Sequence, residues 1–137
     1  MKGLTAVLCL DDRGGMTFNK RRQSRDRLLI KDLCDTTEGD IYMESYSLPL
    51  FAEYEDRARG SADPVADCPE GGVCFIERTN PDTFVNKCRR LIIYRWNRTY
   101  PSDLSLDGSA TAGFTLREEY DFVGSSHEKI TKGIYER

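Results

Sequence analysis

Leu4-Thr5-Ala6-Val7-Leu8-Cys9-Leu10 runs without a break into Asp11-Asp12-Arg13-Gly14-Gly15-Met16-Thr17-Phe18-Asn19-Lys20-Arg21-Arg22-Gln23-Ser24-Arg25-Asp26-Arg27. The opening residues form a continuous apolar run of strand length, the pattern of a strand covered on both faces and therefore central in its sheet. The strand ends in two acids, turns on a Gly pair and leads into a helix. Ser24 reads as the N-cap of that helix, with Asp26 in the first turn balancing the dipole, while Leu29, Ile30, Leu33 and Cys34 recur at helical spacing. Strand, loop and helix in this order set backbone donors and side chains at the carboxyl edge of a sheet, where open α/β sheets bind their ligands. The stretch thus points to a fold class and a site, but names no substrate.

Alternation continues along the chain. Asp40-Ile41-Tyr42-Met43 is a short strand, and residues 45–55 predict a helix with Pro49 tolerated in its first turn. Residues 57–71 hold Gly, Pro, Ser and acids with no period and predict a surface loop. Gly72-Val73-Cys74-Phe75-Ile76-Glu77 is a third strand, Asn80-Pro81-Asp82 opens a helix over 81–88, and Arg89 to Asn97 is a fourth strand. Residues 114–123, the turn Gly124-Ser125-Ser126 and the segment Glu128 to Arg137 predict a closing β-hairpin. The expected fold is α/β, one domain over residues 1–137. It has a single mixed sheet of about six strands with helices on both faces.

A chain of 137 residues can bury an ordinary core, and seven Tyr, six Phe and one Trp supply it. The formal charge of −3 argues against coating nucleic acid through the net field. Charge is nevertheless segregated: residues 20–27 carry five cations against Asp26, residues 89–98 carry four with no acid, and residues 53–70 hold six acids against two arginines. No apolar run reaches membrane-spanning length and no signal-peptide pattern opens the chain, so a cytoplasmic protein is expected. Five cysteines without a CxxC pair, and a single histidine, leave no structural zinc set; no metal is expected. Cys9, Cys34, Cys74 and Cys88 read as buried reduced thiols, and Cys68, in the acidic loop, as exposed.

The order of elements and several residues resemble dihydrofolate reductase in shortened form. The opening strand, Asp11-Asp12, Gly15-Met16, the loop and the helix carrying Asp26 match that family's first strand, active-site loop and catalytic-acid helix. Cys88 to Tyr94, Tyr100-Pro101-Ser102-Asp103, Ser126-His127 and Ile134-Tyr135-Glu136-Arg137 match its sixth strand and final hairpin. The resemblance implies that Asp26 stands at the pterin-binding carboxylate, buried and with a raised pKa. Two departures concern the cofactor. Glu44-Ser45-Tyr46-Ser47 stands where the family has Gly-Arg-x-Thr, and Phe75-Ile76-Glu77-Arg78-Thr79-Asn80 stands where a Gly pair opens onto a helix. A dinucleotide needs close backbone approach at such turns, so no NADPH and no other cofactor is expected. A closer resemblance is to a small group of bacterial proteins sharing Arg21-Arg22-Gln23-Ser24, Tyr94-Arg95-Trp96-Asn97-Arg98 and Gly124 to Thr131, some labelled ribonuclease Z. That chemistry needs two zinc ions held by several histidines, and only His127 is present.

The expected ligand-binding residues are Asp12, Asn19, Arg21, Arg22, Asp26 and Arg95. Guanidinium groups pair bidentately with phosphate oxygens, which points to an anionic small molecule or nucleotide as partner. Residues 20–27 and 89–98 are expected to meet at the carboxyl edge of the sheet, with Arg21 and Arg22 as exposed cations whose loss leaves stability unchanged. RNA is a second partner class, through the two basic segments and Trp96. A pterin reductase with an altered cofactor site is a third reading, beside structural ones in which the arginines form a solvated face and Trp96 belongs to the core. His127 could serve as acid or base, yet Ser125 or Ser126 as nucleophile would need an oxyanion site that the sequence does not display.

Overall fold

In the computed structural model, which describes residues 3–137, strand β1 spans Leu4–Leu10 and is followed by β2 (Gly15–Phe18), β3 (Arg21–Arg22) and helix α1 (Arg27–Thr36). Then come β4 (Ile41–Met43), β5 (Ala58–Gly60), the one-turn helix α2 (Pro64–Asp67) and β6 (Val73–Phe75). The chain closes with β7 (Cys88–Arg95), β8 (Leu104–Ser105), β9 (Thr115–Phe122) and β10 (Ile130–Glu136). The main sheet has seven strands in the order β5-β4-β6-β1-β7-β10-β9, so the apolar run 4–10 lies at its centre. β1 is parallel to β6 and β7, whereas β10 is antiparallel to β7 and β9. The sheet is therefore mixed, and the closing hairpin is present.

Side chains alternate between two cores. Val7, Ile92 and Tyr94 face one side, where they meet Leu29, Ile30 and Leu33 of α1 and Phe51. Ala6, Leu8, Leu10, Leu91 and Ile93 face the other, against Phe84, Cys88 and Leu106. Leu33 has no exposed surface, and burying such a side chain contributes about 1.5–3 kcal/mol. The apolar period of α1 is what seats it on the sheet.

Several elements differ from the sequence reading. Asp26, not Ser24, caps α1, because its carboxylate accepts from the amides of Leu28 and Leu29. Residues Ser45–Tyr54 form 3₁₀ turns broken at Phe51, whose φ/ψ is not helical. The expected loop 57–71 contains β5 and α2, and Cys68 is buried beside Cys74 rather than exposed. The expected helix over 81–88 is two short 3₁₀ turns, Pro81–Thr83 and Val85–Lys87, since too few residues separate Asn80 from β7 to propagate a helix. The second face is accordingly covered by the one-turn helix α2, whose Val65 packs on it, and by short turns.

The loop after β1 is itself structured. β3, β2 and β8 form a second, three-stranded sheet, so there are two sheets where one was expected. Asp11 builds the turn: its buried carboxylate accepts from the amides of Arg13, Gly15 and Tyr100 and from the Gln23 side chain. Gly14 has φ +78°, and a Cβ there would stand 2.6 Å from the Leu106 carbonyl oxygen, so both conformation and space require glycine.

Candidate functional site at the carboxyl edge of the sheet

Asp26 lies where the hairpin turn meets the start of α1. Its Oδ1 accepts from the Ser125 amide at 2.8 Å, and its Oδ2 accepts from the Ser126 amide at 2.9 Å. His127 Nδ1 stands 2.9 Å from the same Oδ2, and His127 Nε2 stands 2.9 Å from Ser24 Oγ. The imidazole stacks on Trp96 with ring centroids 4.6 Å apart. Burial by itself would raise the Asp26 carboxyl, but hydrogen bonds from the Ser126 amide, the His127 ring and Ser125 outweigh it and hold the group well below the usual carboxylate range. The raised pKa expected from the resemblance is thus corrected: this carboxylate is surrounded by donors, which favour its charged form.

A second network occupies the ends of β4 and β6. Glu77 accepts from Arg22 Nε at 2.8 Å, from Arg22 Nη2 at 3.0 Å and from Ser47 Oγ at 2.6 Å. The guanidinium groups of Arg22 and Arg78 lie over the Tyr46 ring at 4.2 and 4.1 Å, and Arg78 pairs with Glu44. The exposed-cation expectation therefore fails for Arg22, a structural partner of a nearly buried acid. Arg21 is exposed.

Two clefts flank residue 24. One, of about 490 Å³, is lined by Phe18, Asn19, Arg21, Arg22, Gln23, Tyr100 and Pro101. The other, of about 300 Å³, sets Arg25, Arg27, Ser125 and Ser126 around an apolar floor of Ile30, Pro49 and Leu50. Among the described residues no three His, Cys, Asp or Glu side chains are grouped to hold a metal ion. No described helix is long and apolar enough to cross a membrane.

No family model and no curated protein matches this chain. Among solved structures it is similar to dihydrofolate reductase from Enterococcus faecalis complexed with NADP(H) and RAB-propyl, at TM-score 0.69 and 13% identity, covering 98% of this chain and 96% of that one. The chain has a dihydrofolate-reductase-like fold.

On this dihydrofolate-reductase-like scaffold the six expected site residues do not all converge. Asn19, Arg21 and Arg22 share the larger cleft, and Asp26 borders the smaller one. Asp12 is exposed and accepts from Thr99 Oγ1. Arg95 follows Tyr94 on β7, so alternation turns it to the face away from Asp26, where it reaches the Tyr135 hydroxyl. The nine cations of the two basic segments are not pooled either. Leu10 pairs with Arg95 but Thr5 pairs with Arg90, so Arg89 and Arg90 lie at the opposite edge of the sheet; five residues of strand separate them from Arg95, roughly 17 Å. Sequence reasoning missed the partnership of Ser24 with His127 and that of Glu77 with Arg22. Each spans a chain separation that no local period encodes, and the lone histidine was the one usable signal.

Proposed function

We propose that the protein binds an anionic, phosphate-bearing or nucleotide-like small molecule along residues 19–27, without NADPH-dependent reduction. The observation that carries this reading is the larger cleft. Arg21 and Asn19 line it together with the aromatic residues Phe18 and Tyr100, a combination of anion donors and stacking surface suited to a phosphorylated ring compound. Arg25 and Arg27 extend the cationic surface into the neighbouring cleft.

The residues present do not fit a nicotinamide dinucleotide in its usual place on such a scaffold. Side chains fill the corner between β4 and β6: Tyr46 is held between Arg22 and Arg78, and the Glu77 carboxylate projects where a pyrophosphate would need donors. A second anion there would be repelled.

Calorimetric titration with AMP, ATP and inorganic phosphate, alongside NADPH with dihydrofolate, tests the reading. A phosphate-bearing ligand should bind, and Arg21→Ala should weaken it about tenfold, roughly 1.4 kcal/mol, with little change in melting temperature. Arg22→Ala should lower the melting temperature, because it strands Glu77. If none of the three phosphate compounds binds, or if NADPH is oxidised in the presence of dihydrofolate, the proposal is wrong.

A further inference from the structure

We propose that Ser24, His127 and Asp26 are nucleophile, general base and positioning acid for hydrolysis of a small carboxylic ester. The three side chains form one line: Ser24 Oγ to His127 Nε2 at 2.9 Å, then His127 Nδ1 to Asp26 Oδ2 at 2.9 Å. An ionised carboxylate only accepts, so the ring proton sits on Nδ1 and the Nε2 lone pair faces the serine hydroxyl. Asp26 is itself fixed by the amides of Ser125 and Ser126, and Trp96 stacks on the imidazole, so the base cannot swing away from Ser24. Ser125 and Ser126 are excluded as nucleophiles by the same geometry. Their hydroxyls turn to Asp26 and the Arg25 carbonyl, and Ser126 Oγ approaches Nδ1, the proton-bearing nitrogen, at 3.3 Å.

Ser24 is half-buried and lies between Gln23, in the wall of one cleft, and Arg25, in the wall of the other. The second of these clefts, which reaches Asp26, has an apolar floor of Ile30, Pro49 and Leu50 and the cations Arg25 and Arg27, a setting for an ester whose acid portion carries a negative charge. The Ser24 Oγ–H proton passes to His127 Nε2 as Oγ bonds to the ester carbonyl carbon. The carbon–oxygen bond to the alcohol then breaks, and the proton on Nε2 goes to the departing alkoxide. Water adds to the acyl-serine by the same route, releasing the acid and restoring Ser24. Among the described residues neither the Ser24 nor the Arg25 amide donates to another backbone group, and amides of this kind are what the carbonyl oxygen would need as it gains charge.

This inference does not rest on phosphate binding, and its test is separate. The intact protein is treated with a fluorophosphonate probe and the labelled residue is mapped by mass spectrometry. In parallel, hydrolysis of p-nitrophenyl acetate and of the anionic p-nitrophenyl hemisuccinate is followed. The label is expected on Ser24. Ser24→Ala should melt as the parent does while losing the label and about a hundredfold or more of the hydrolysis rate, and Ser109→Ala, in an exposed turn away from both clefts, should keep both. His127→Gln should also lose the label; its stability is read alongside, and Ser24→Ala decides the matter if that variant unfolds. An unlabelled folded protein, a label elsewhere, or hydrolysis unchanged in Ser24→Ala would overturn the proposal. Equal turnover of the two esters would overturn the assignment of an anionic acid portion.

Discussion

Asp26 is both helix cap and anchor of the hairpin turn, and its charge sets a pH dependence. Its folded-state pKa is depressed, so its contribution to stability is present above the unfolded carboxyl value near 4 and is lost as pH falls toward the folded one. Asp11, also held below its ordinary value against the burial that would raise it, acts in the same direction. Asp26→Asn should therefore cost about 2–4 kcal/mol at neutral pH, and the gap to the parent should narrow below pH 4. Urea unfolding at pH 7 and at pH 3 checks this. Equal gaps at both values would show that the carboxylate's charge contributes nothing.

Two joints hold α1 to the hairpin. At its start the 124–127 turn closes on Asp26, and Gly124 has no room for a side chain because a Cβ there would meet the Asp26 carboxylate and Ile130. Further along, Asp32 accepts from the Tyr94 and Tyr120 hydroxyls at 2.6 and 2.8 Å and pairs with Lys132 of β10 at 2.8 Å. Lys132 is 1% exposed and donates also to Thr36. Removing one member of a buried pair strands the other, so Lys132→Met should destabilise by about 3–5 kcal/mol. The measurement is the denaturant midpoint. A variant as stable as the parent would mean that Asp32 is satisfied by the two tyrosines alone. Arg57 closes the far end of α1 by donating to the carbonyls of Cys34 and Thr37, a cation set at the negative end of the dipole.

Over the whole molecule, the net charge of −3 masks two separated basic regions. Arg21, Arg25 and Arg27 border the clefts, whereas Arg89 and Arg90 belong to the opposite edge, where Arg90 pairs with Glu136. On the proposed reading a small anion engages only the first group. A long RNA would need both. ATP binding should therefore weaken only modestly with added salt, with a slope matching two or three released ions, against the steeper dependence of a chain that neutralises many phosphates. Titrations at several salt concentrations with ATP and with a single-stranded RNA distinguish the two. Tighter, steeply salt-dependent RNA binding that is lost in Arg89→Ala would favour the RNA reading over the small-molecule one.

The sequence alone determined whatever is written in local order. The 4–10 run placed β1 at the centre because only a strand buried on both faces can be apolar throughout, and the alternation of elements determined a mixed sheet closed by a hairpin. The spacing of Leu29, Ile30 and Leu33 fixed the buried face of α1. The place of Asp26 near the helix start was legible too, though its role as cap was not, because Ser24 carries an equally good capping signal two residues earlier. Tertiary structure decided which charges meet. Arg22 looked like any cation in a basic run until Glu77 arrived from another strand. Asp26 could have been a raised carboxyl, but four donors from the 125–127 turn made it a strongly ionised one. Arg95 and Arg89, close in the chain, were parted by the length and pleat of one strand. Hydrophobic period is repeated over many residues and survives local ambiguity, whereas an ion pair or a Ser-His-Asp line depends on single atoms about 3 Å apart, brought together from segments a hundred residues distant, and no local pattern in the chain records that meeting.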